Sequence, residues 1–183
     1  MLTRAGEEYR RRLVEVGPAQ WSLPSACDDW TVKDLVDHVL GGNRFAVPLL
    51  GGASPDAAFS IALEGGFDGD LVGLFDESQA AQIEAFAAPG ALDADVAHPS
   101  GPTSGATFAG LRAGDLLLHG WDLARSLGLD ETVDDEVAAE VWRVYEPRLS
   151  ADTADRFGDG ASGTVGADAP IGLRLLDLSG RRP

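Results

Sequence analysis

The stretch TFAGLRAGDLLLHGWDLARSLG, residues 107–128, constrains the fold more than any other part of the chain. On a helical wheel at about 100° per residue, Leu111, Ala113, Leu116, Leu117, Leu118, Trp121, Leu123, Ala124 and Leu127 spread around most of the circumference. A helix of that kind is buried on most sides, so the rest of the chain has to surround it. Its polar residues are confined: Arg112, Asp115, His119, Asp122 and Ser126 share one arc of about 80° with apolar shoulders. Such an arc either faces water, with Arg112 and Asp115 as an i, i+3 ion pair, or faces a polar pocket.

The surrounding elements read as helices as well. Apolar periodicity and Gly/Pro/Asp breakers predict helices at about 3–16, 32–47, 70–88, 105–128 and 133–146. Gly17-Pro18 closes the first. Thr31 caps the second, with Asp34 as its acidic partner, and Pro48 with Gly51-Gly52 ends it. The segment from there to residue 70 reads as a loop rich in small residues. Thr132 is the expected cap of the fifth helix. No run of β-period has convincing length, so the class is all-α, an antiparallel bundle. Residues 1–150 form the expected helical bundle, and 151–183 an irregular tail packed on it within the same domain, with one apolar cluster at Ile171 to Leu178 that can form a short final helix.

Charge and composition exclude several functions. Thirty acidic against 14 basic residues leave a net charge of −16, which repels phosphate backbones and anionic lipid, so nucleic acid is not an expected partner. No apolar run reaches the roughly 18 residues of a membrane span. The charged start MLTRAGEEYRRRL lacks a signal-peptide core, which gives a cytoplasmic expectation. Cys27, the single cysteine, excludes a Cys-based zinc cage and reads as a small buried hydrophobe.

The chemistry-bearing residues lie on two helices. Asp115 and His119, one turn apart on one face, can point at one cation. His38, in TVKDLVDHVLGGNRF, falls at the border of its helix's apolar face, and Gly42 one turn on leaves space beside it. One histidine from the second helix plus an Asp-x-x-x-His from the fourth makes a three-ligand set with an open position, as in catalytic zinc sites. Zinc is the default, and nickel, iron or manganese suit the same donors. Around this set, Asp122 can orient His119. Arg112 can bind a substrate carboxylate, Asn43 and Phe45 can contact substrate, and the loop residue His98 can serve as acid or base. No Ser-His-Asp signature, phosphate loop or dinucleotide fingerprint is present.

WTVKDLVDHVLGGN and DLLLHGWDLARSLG together resemble the paired signatures of the actinobacterial mycothiol-dependent maleylpyruvate isomerase-like proteins, in the DinB-like superfamily. DAPIGLRLLDLSGRRP resembles the ending of a single-domain, metal-binding branch of that group. The resemblance implies a DinB-like four-helix bundle with an additional helix and a C-terminal tail, with His38, Asp115 and His119 as metal ligands. Asp115 stands where the isomerases often have Glu. It further implies a metal-dependent transferase or isomerase that uses mycothiol on a small electrophilic or unsaturated substrate, in a superfamily whose members often form homodimers. Two other readings stay open: a thiol-independent hydrolase, cyclase or isomerase, and a non-catalytic metal-binding bundle.

Overall fold

A computed structural model describes residues 1–149 and 160–183. The described helices are α1 (Leu2–Leu13), α2 (Val32–Leu50), α3 (Pro55–Leu63), α4 (Leu71–Ala87), α5 (Gly105–Leu127), α6 (Asp135–Tyr145) and α7 (Ile171–Leu178). Between α4 and α5 lies a two-residue antiparallel ladder, β1 (Asp95–Val96) with β2 (Thr103–Ser104). The protein is all-α, with a DinB-like arrangement: α1, α2, α4 and α5 pack against one another as the four-helix core, and α3 lies on α2. Outside that core, α6 covers α5, and α7 packs on α6. The irregular tail expected over 151–183 lies in part outside the described residues; within them, Ile171–Leu178 is helical.

Local chemistry accounts for most boundaries. At α2 the Thr31 side chain accepts from the Asp34 backbone N–H while Asp34 accepts from the Thr31 N–H, a reciprocal cap that satisfies two orphan donors. Gly128 ends α5 in the left-handed conformation at φ 68°, as a residue without Cβ does readily. Three expectations are corrected. The first helix stops at Leu13 rather than running to residue 16. Pro48 does not end α2; it sits in the last turn, where its missing N–H forfeits one intrahelical bond, and the helix continues to Leu50 before Gly51. Asp134, not Thr132, caps α6, its carboxylate accepting from the Glu136 and Val137 N–H groups.

The segment read as a loop contains α3, started by Ser54 as cap and Pro55 in the first turn. Ser-Pro-Asp is a helix-start signal, outweighed in the sequence by the short and irregular apolar pattern after it.

The core runs through the α1/α2/α4/α5 interface. Leu35, Val36, Val39 and Leu40 of α2 and Leu116 and Leu123 of α5 are wholly buried there with Tyr9 and Phe75, whose rings pack 5.1 Å apart. Each such side chain contributes about 1.5–3 kcal/mol of burial. Among the described residues no helix is long and apolar enough to cross a membrane.

Candidate metal centre

Because α5 is enclosed on its apolar sides, its polar arc is the only part left to form a site, and the structure covers that arc instead of leaving it to water. Arg112 and Asp122 are buried, at 7% and 1% exposure. The loop 17–31 crosses the arc, fixed to α5 where Ser126 Oγ accepts from the Ala26 N–H at 2.9 Å. It brings Cys27 and Trp30 over the histidines. Trp30 packs on His38 with ring centroids 5.0 Å apart, and on His119 at 6.1 Å.

His38 of α2 and Asp115 and His119 of α5 come together. His38 Nε2 lies 3.4 Å from Asp115 Oδ1, and His119 Nε2 lies 3.5 Å from the same oxygen. The three donor atoms all lie within 4.8 Å of one another. Donors about 2.1 Å from a tetrahedral cation are separated by about 3.4 Å, and both separations from Asp115 Oδ1 match that spacing. Two of the three side chains are also oriented from behind. His119 Nδ1 faces Asp122 Oδ2 at 2.9 Å, which turns Nε2 toward His38 and Asp115. Arg112 Nη1 donates to Asp115 Oδ2 at 2.7 Å and leaves Oδ1 for the two imidazoles.

The charges of the group are tightly linked. Burial works against ionisation of Asp115, yet Arg112, His38 and His119 outweigh it and hold the carboxyl well below the ordinary range. Burial likewise opposes a charged His119, but Asp115, then Asp122, raise it well above an ordinary histidine. Asp122 is drawn down to about 2 by His119 and by Arg181, against the effect of burial. Arg181 holds both Asp122 oxygens, Nε at 3.0 Å and Nη2 at 2.6 Å, and so ties the segment after α7 to the middle of α5.

The remaining sequence-predicted residues are distributed around this centre. Arg112 is not a surface ion pair. It donates to Asp115, to Asn43 Oδ1 at 2.8 Å and to Gln82 Oε1 at 3.4 Å, within a buried network that links α2, α4 and α5. Gly42 serves that network rather than His38: a Cβ there would lie 2.2 Å from Arg112 Nη1 and 2.6 Å from Cζ. Asn43 is wholly buried and bonded to Ser78 as well as Arg112, and it does not line a cavity described below. Phe45 does. His98 stands in the turn after β1, its Nδ1 2.6 Å from Ser100 Oγ and its ring 5.3 Å from that of Phe108. Burial, then Arg112, lowers its pKa, so it is neutral at pH 7.

Two residues stand at the centre that were not expected there: Arg181, and Cys27, which was expected as a small buried hydrophobe. Cys27 is only partly buried, with Sγ 3.4 Å from Asp122 Oδ2 and 3.9 Å from His119 Nδ1. Together these make a second donor group of Cys27, His119 and Asp122. Arg181 lies 59 residues from Asp122 in sequence, and no local pattern couples the two.

Two cavities are each lined by at least two residues of the centre. One, of about 790 Å³, is lined by His38, Asp115 and Arg112 with Phe45, Phe67 and Phe108. The other, of about 560 Å³, is lined by His38, Asp115 and His119 with Cys27, Asp122 and Arg181.

Fold and centre thus define a DinB-like helical bundle that gathers two histidines and a carboxylate beside open space. The chain belongs to the mycothiol maleylpyruvate isomerase N-terminal domain family, whose pattern matches residues 2–124. An uncharacterised protein of Mycobacterium tuberculosis, strain CDC 1551 / Oshkosh, is 35% identical over 142 residues, covering 75% of this chain and 71% of the relative. A second strain of that species carries a relative with the same identity and coverage. The crystal structure of the mycothiol-dependent maleylpyruvate isomerase superposes with a TM-score of 0.61 at 18% identity, over 90% of this chain and 70% of that one. A mutant of that enzyme gives 0.64 at 16% identity, over 85% and 69%. At these identities the superpositions establish the shared fold.

Proposed function

We propose that His38, Asp115 and His119 hold a divalent metal, zinc by default, in an enzyme that uses a low-molecular-weight thiol, mycothiol, to transfer to or isomerise a small electrophile. The observation that carries the reading is the convergence of three donor atoms from two helices within 4.8 Å, at the wall of a cavity. A bound cation there would stabilise the thiolate, the nucleophilic form of the cofactor. Family membership supports the choice of thiol.

The chain's own residues supply the rest. Asp122 keeps the His119 Nδ1 proton, so that Nε2 presents its lone pair. Arg112 holds Asp115 with one oxygen turned to the centre. His98, neutral and in the cavity wall, accepts the Ser100 N–H at Nδ1 and so carries its proton on Nε2, which can donate a hydrogen bond to an oxygen of a bound substrate. The second donor group is the weaker metal site, because Arg181 occupies both Asp122 oxygens, whereas Arg112 takes one Asp115 oxygen and leaves the other for a cation. Cys27 has no intrachain disulfide partner, consistent with work in a reducing cytoplasm.

Metal content and thiol binding test the proposal together. Zinc-loaded protein is expected to retain about one metal per chain. His38→Ala, Asp115→Ala and His119→Ala should lose it, with mycothiol binding by calorimetry lost in the same variants. Metal content below about a tenth per chain in the parent protein refutes the metal centre, since a site of this kind binds stoichiometrically. Mycothiol heat that persists in His119→Ala refutes the role given to the metal.

A further inference from the structure

We propose that α3 is a lid on the 790 Å³ cavity: the helix rolls about its own axis and turns Phe59 and Leu63 inward onto the apolar body of a bound molecule. The proposal deepens the reading above, which sets the reacting group at the wall formed by His38 and Asp115; the lid adds that the part of the molecule under α3 is apolar. Its movement requires neither metal nor thiol.

The packing of α3 is inside out. Its buried residues are Ala58 and Ala62, one turn apart, and it rests on α2. Its large apolar side chains are left open instead, Phe59 at 60% exposure and Ile61 and Leu63 at 47%. A helix held in place by burial alone shows the reverse arrangement. Phe59 and Leu63, four residues apart and so on one side of the helix, both line the cavity, and Ile61 does not. Covering the two of them with a ligand gains burial that the open form forgoes.

The chain is jointed on both sides of α3. Gly52 precedes the helix at φ 88°, and Gly65 and Gly66 follow it at φ 76° and 64°. A Cβ at any of the three would meet nothing within 4 Å, so it is the left-handed backbone and not lack of space that calls for glycine. Arg44 of α2 donates to the carbonyls of Glu64 and Gly66 and stacks on Phe67, another residue of the cavity wall. The C-terminal joint is thereby held at the rim, so that α3 rolls in place and does not swing away. Two alanine methyls raise no ridge to lock it into a groove of α2. With side-chain tips about 5–6 Å from the helix axis, a roll of about 30° carries them about 3 Å.

The test uses the full chain, free of metal and thiol, with N-phenyl-naphthylamine, an uncharged flat probe that fluoresces in dry apolar surroundings. Saturable binding is expected. Phe59→Ser and Leu63→Ser should each weaken it about tenfold, while Ile61→Ser, on the same helix but outside the cavity wall, should leave it unchanged. Fluorine NMR of protein labelled with para-fluorophenylalanine reads the movement, the Phe59 signal being assigned by its absence in Phe59→Leu. That signal should shift between light and heavy water in the free protein, the mark of solvent contact, and lose the shift at probe saturation. A solvent shift that survives saturation overturns the lid, as do equal losses of affinity in Phe59→Ser and Ile61→Ser, or no saturable binding. Metal content and mycothiol heat are separate measurements, so their failure beside an intact fluorine result would remove the reaction and keep the lid.

Discussion

Asp122→Asn separates two roles that the structure gives to one carboxylate. Asp122 is 1% exposed and holds Arg181 through both oxygens while facing His119 Nδ1. Removing one partner of a buried ion pair costs about 3–5 kcal/mol. Asparagine keeps one acceptor, and the Arg181 side chain retains 16% exposure, so the expected loss is smaller, about 2–3 kcal/mol. For a chain of this length that is a fall in Tm of about 4–12 °C, measured on metal-free protein. The substitution also loosens His119, and loss of such an orienting partner typically weakens metal binding about 10–100-fold. The double variant Asp122→Asn/Arg181→Met removes the stranded charge. Thermal denaturation should then return most of the lost stability, while zinc affinity, measured by competition with a chelating dye, should stay low. Wild-type zinc affinity in the double variant would refute the orienting role and leave Asp122 as a counterion for Arg181 alone.

Gly42→Ala should gain about 1 kcal/mol of helix propensity, yet lower metal affinity and net stability, because the new methyl displaces the Arg112 guanidinium from Asp115 and Asn43; an unchanged zinc titration would show that Arg112 adapts freely. Thr31→Ala should cost about 1 kcal/mol in denaturant unfolding through loss of the α2 cap. The same cap is pH-dependent: Thr31's hydroxyl and N–H lower the Asp34 pKa, so its stabilisation is present above the unfolded carboxyl range and lost as pH falls through the lower folded value. A lower protection factor at the start of α2 in acid, taken against the intrinsic exchange rate at each pH, would register it, and a flat profile in the wild type would refute it. Metal affinity should fall with pH from well above the ordinary histidine range, since Asp115 and Asp122 hold a proton on His119 that competes with the cation; calorimetry in buffers of different ionisation heat should show proton release on binding at pH 7, and none would count against ligation by His119.

How much was legible in the sequence differs by element. Length and apolar pattern made α2, α4 and α5 readable, and the Thr31/Asp34 start of α2 was legible as a cap followed three residues on by an acid. α3 was not, because nine residues with one weak apolar face carry too little pattern to outweigh the glycines around them. At the centre, the i, i+4 spacing of Asp115 and His119 announced itself, as did the i, i+3 pairing of Arg112 with Asp115. Gly42 was visible as a gap but assigned to the wrong neighbour, since a wheel shows which residues share a face and not which side chain of another helix fills the space.

The sequence by itself determined that α5 would be enclosed and that its polar residues would fall on one narrow arc, because both follow from helical period and side-chain type along a single segment. Only the tertiary structure decided what covers that arc. His38 lies 77 residues from Asp115, Cys27 95 residues from Asp122, and Arg181 59 residues from it on the other side. These approaches are set by how whole helices pack and where a loop and the C-terminal segment come to rest, and contacts of that range leave no periodic trace in the chain.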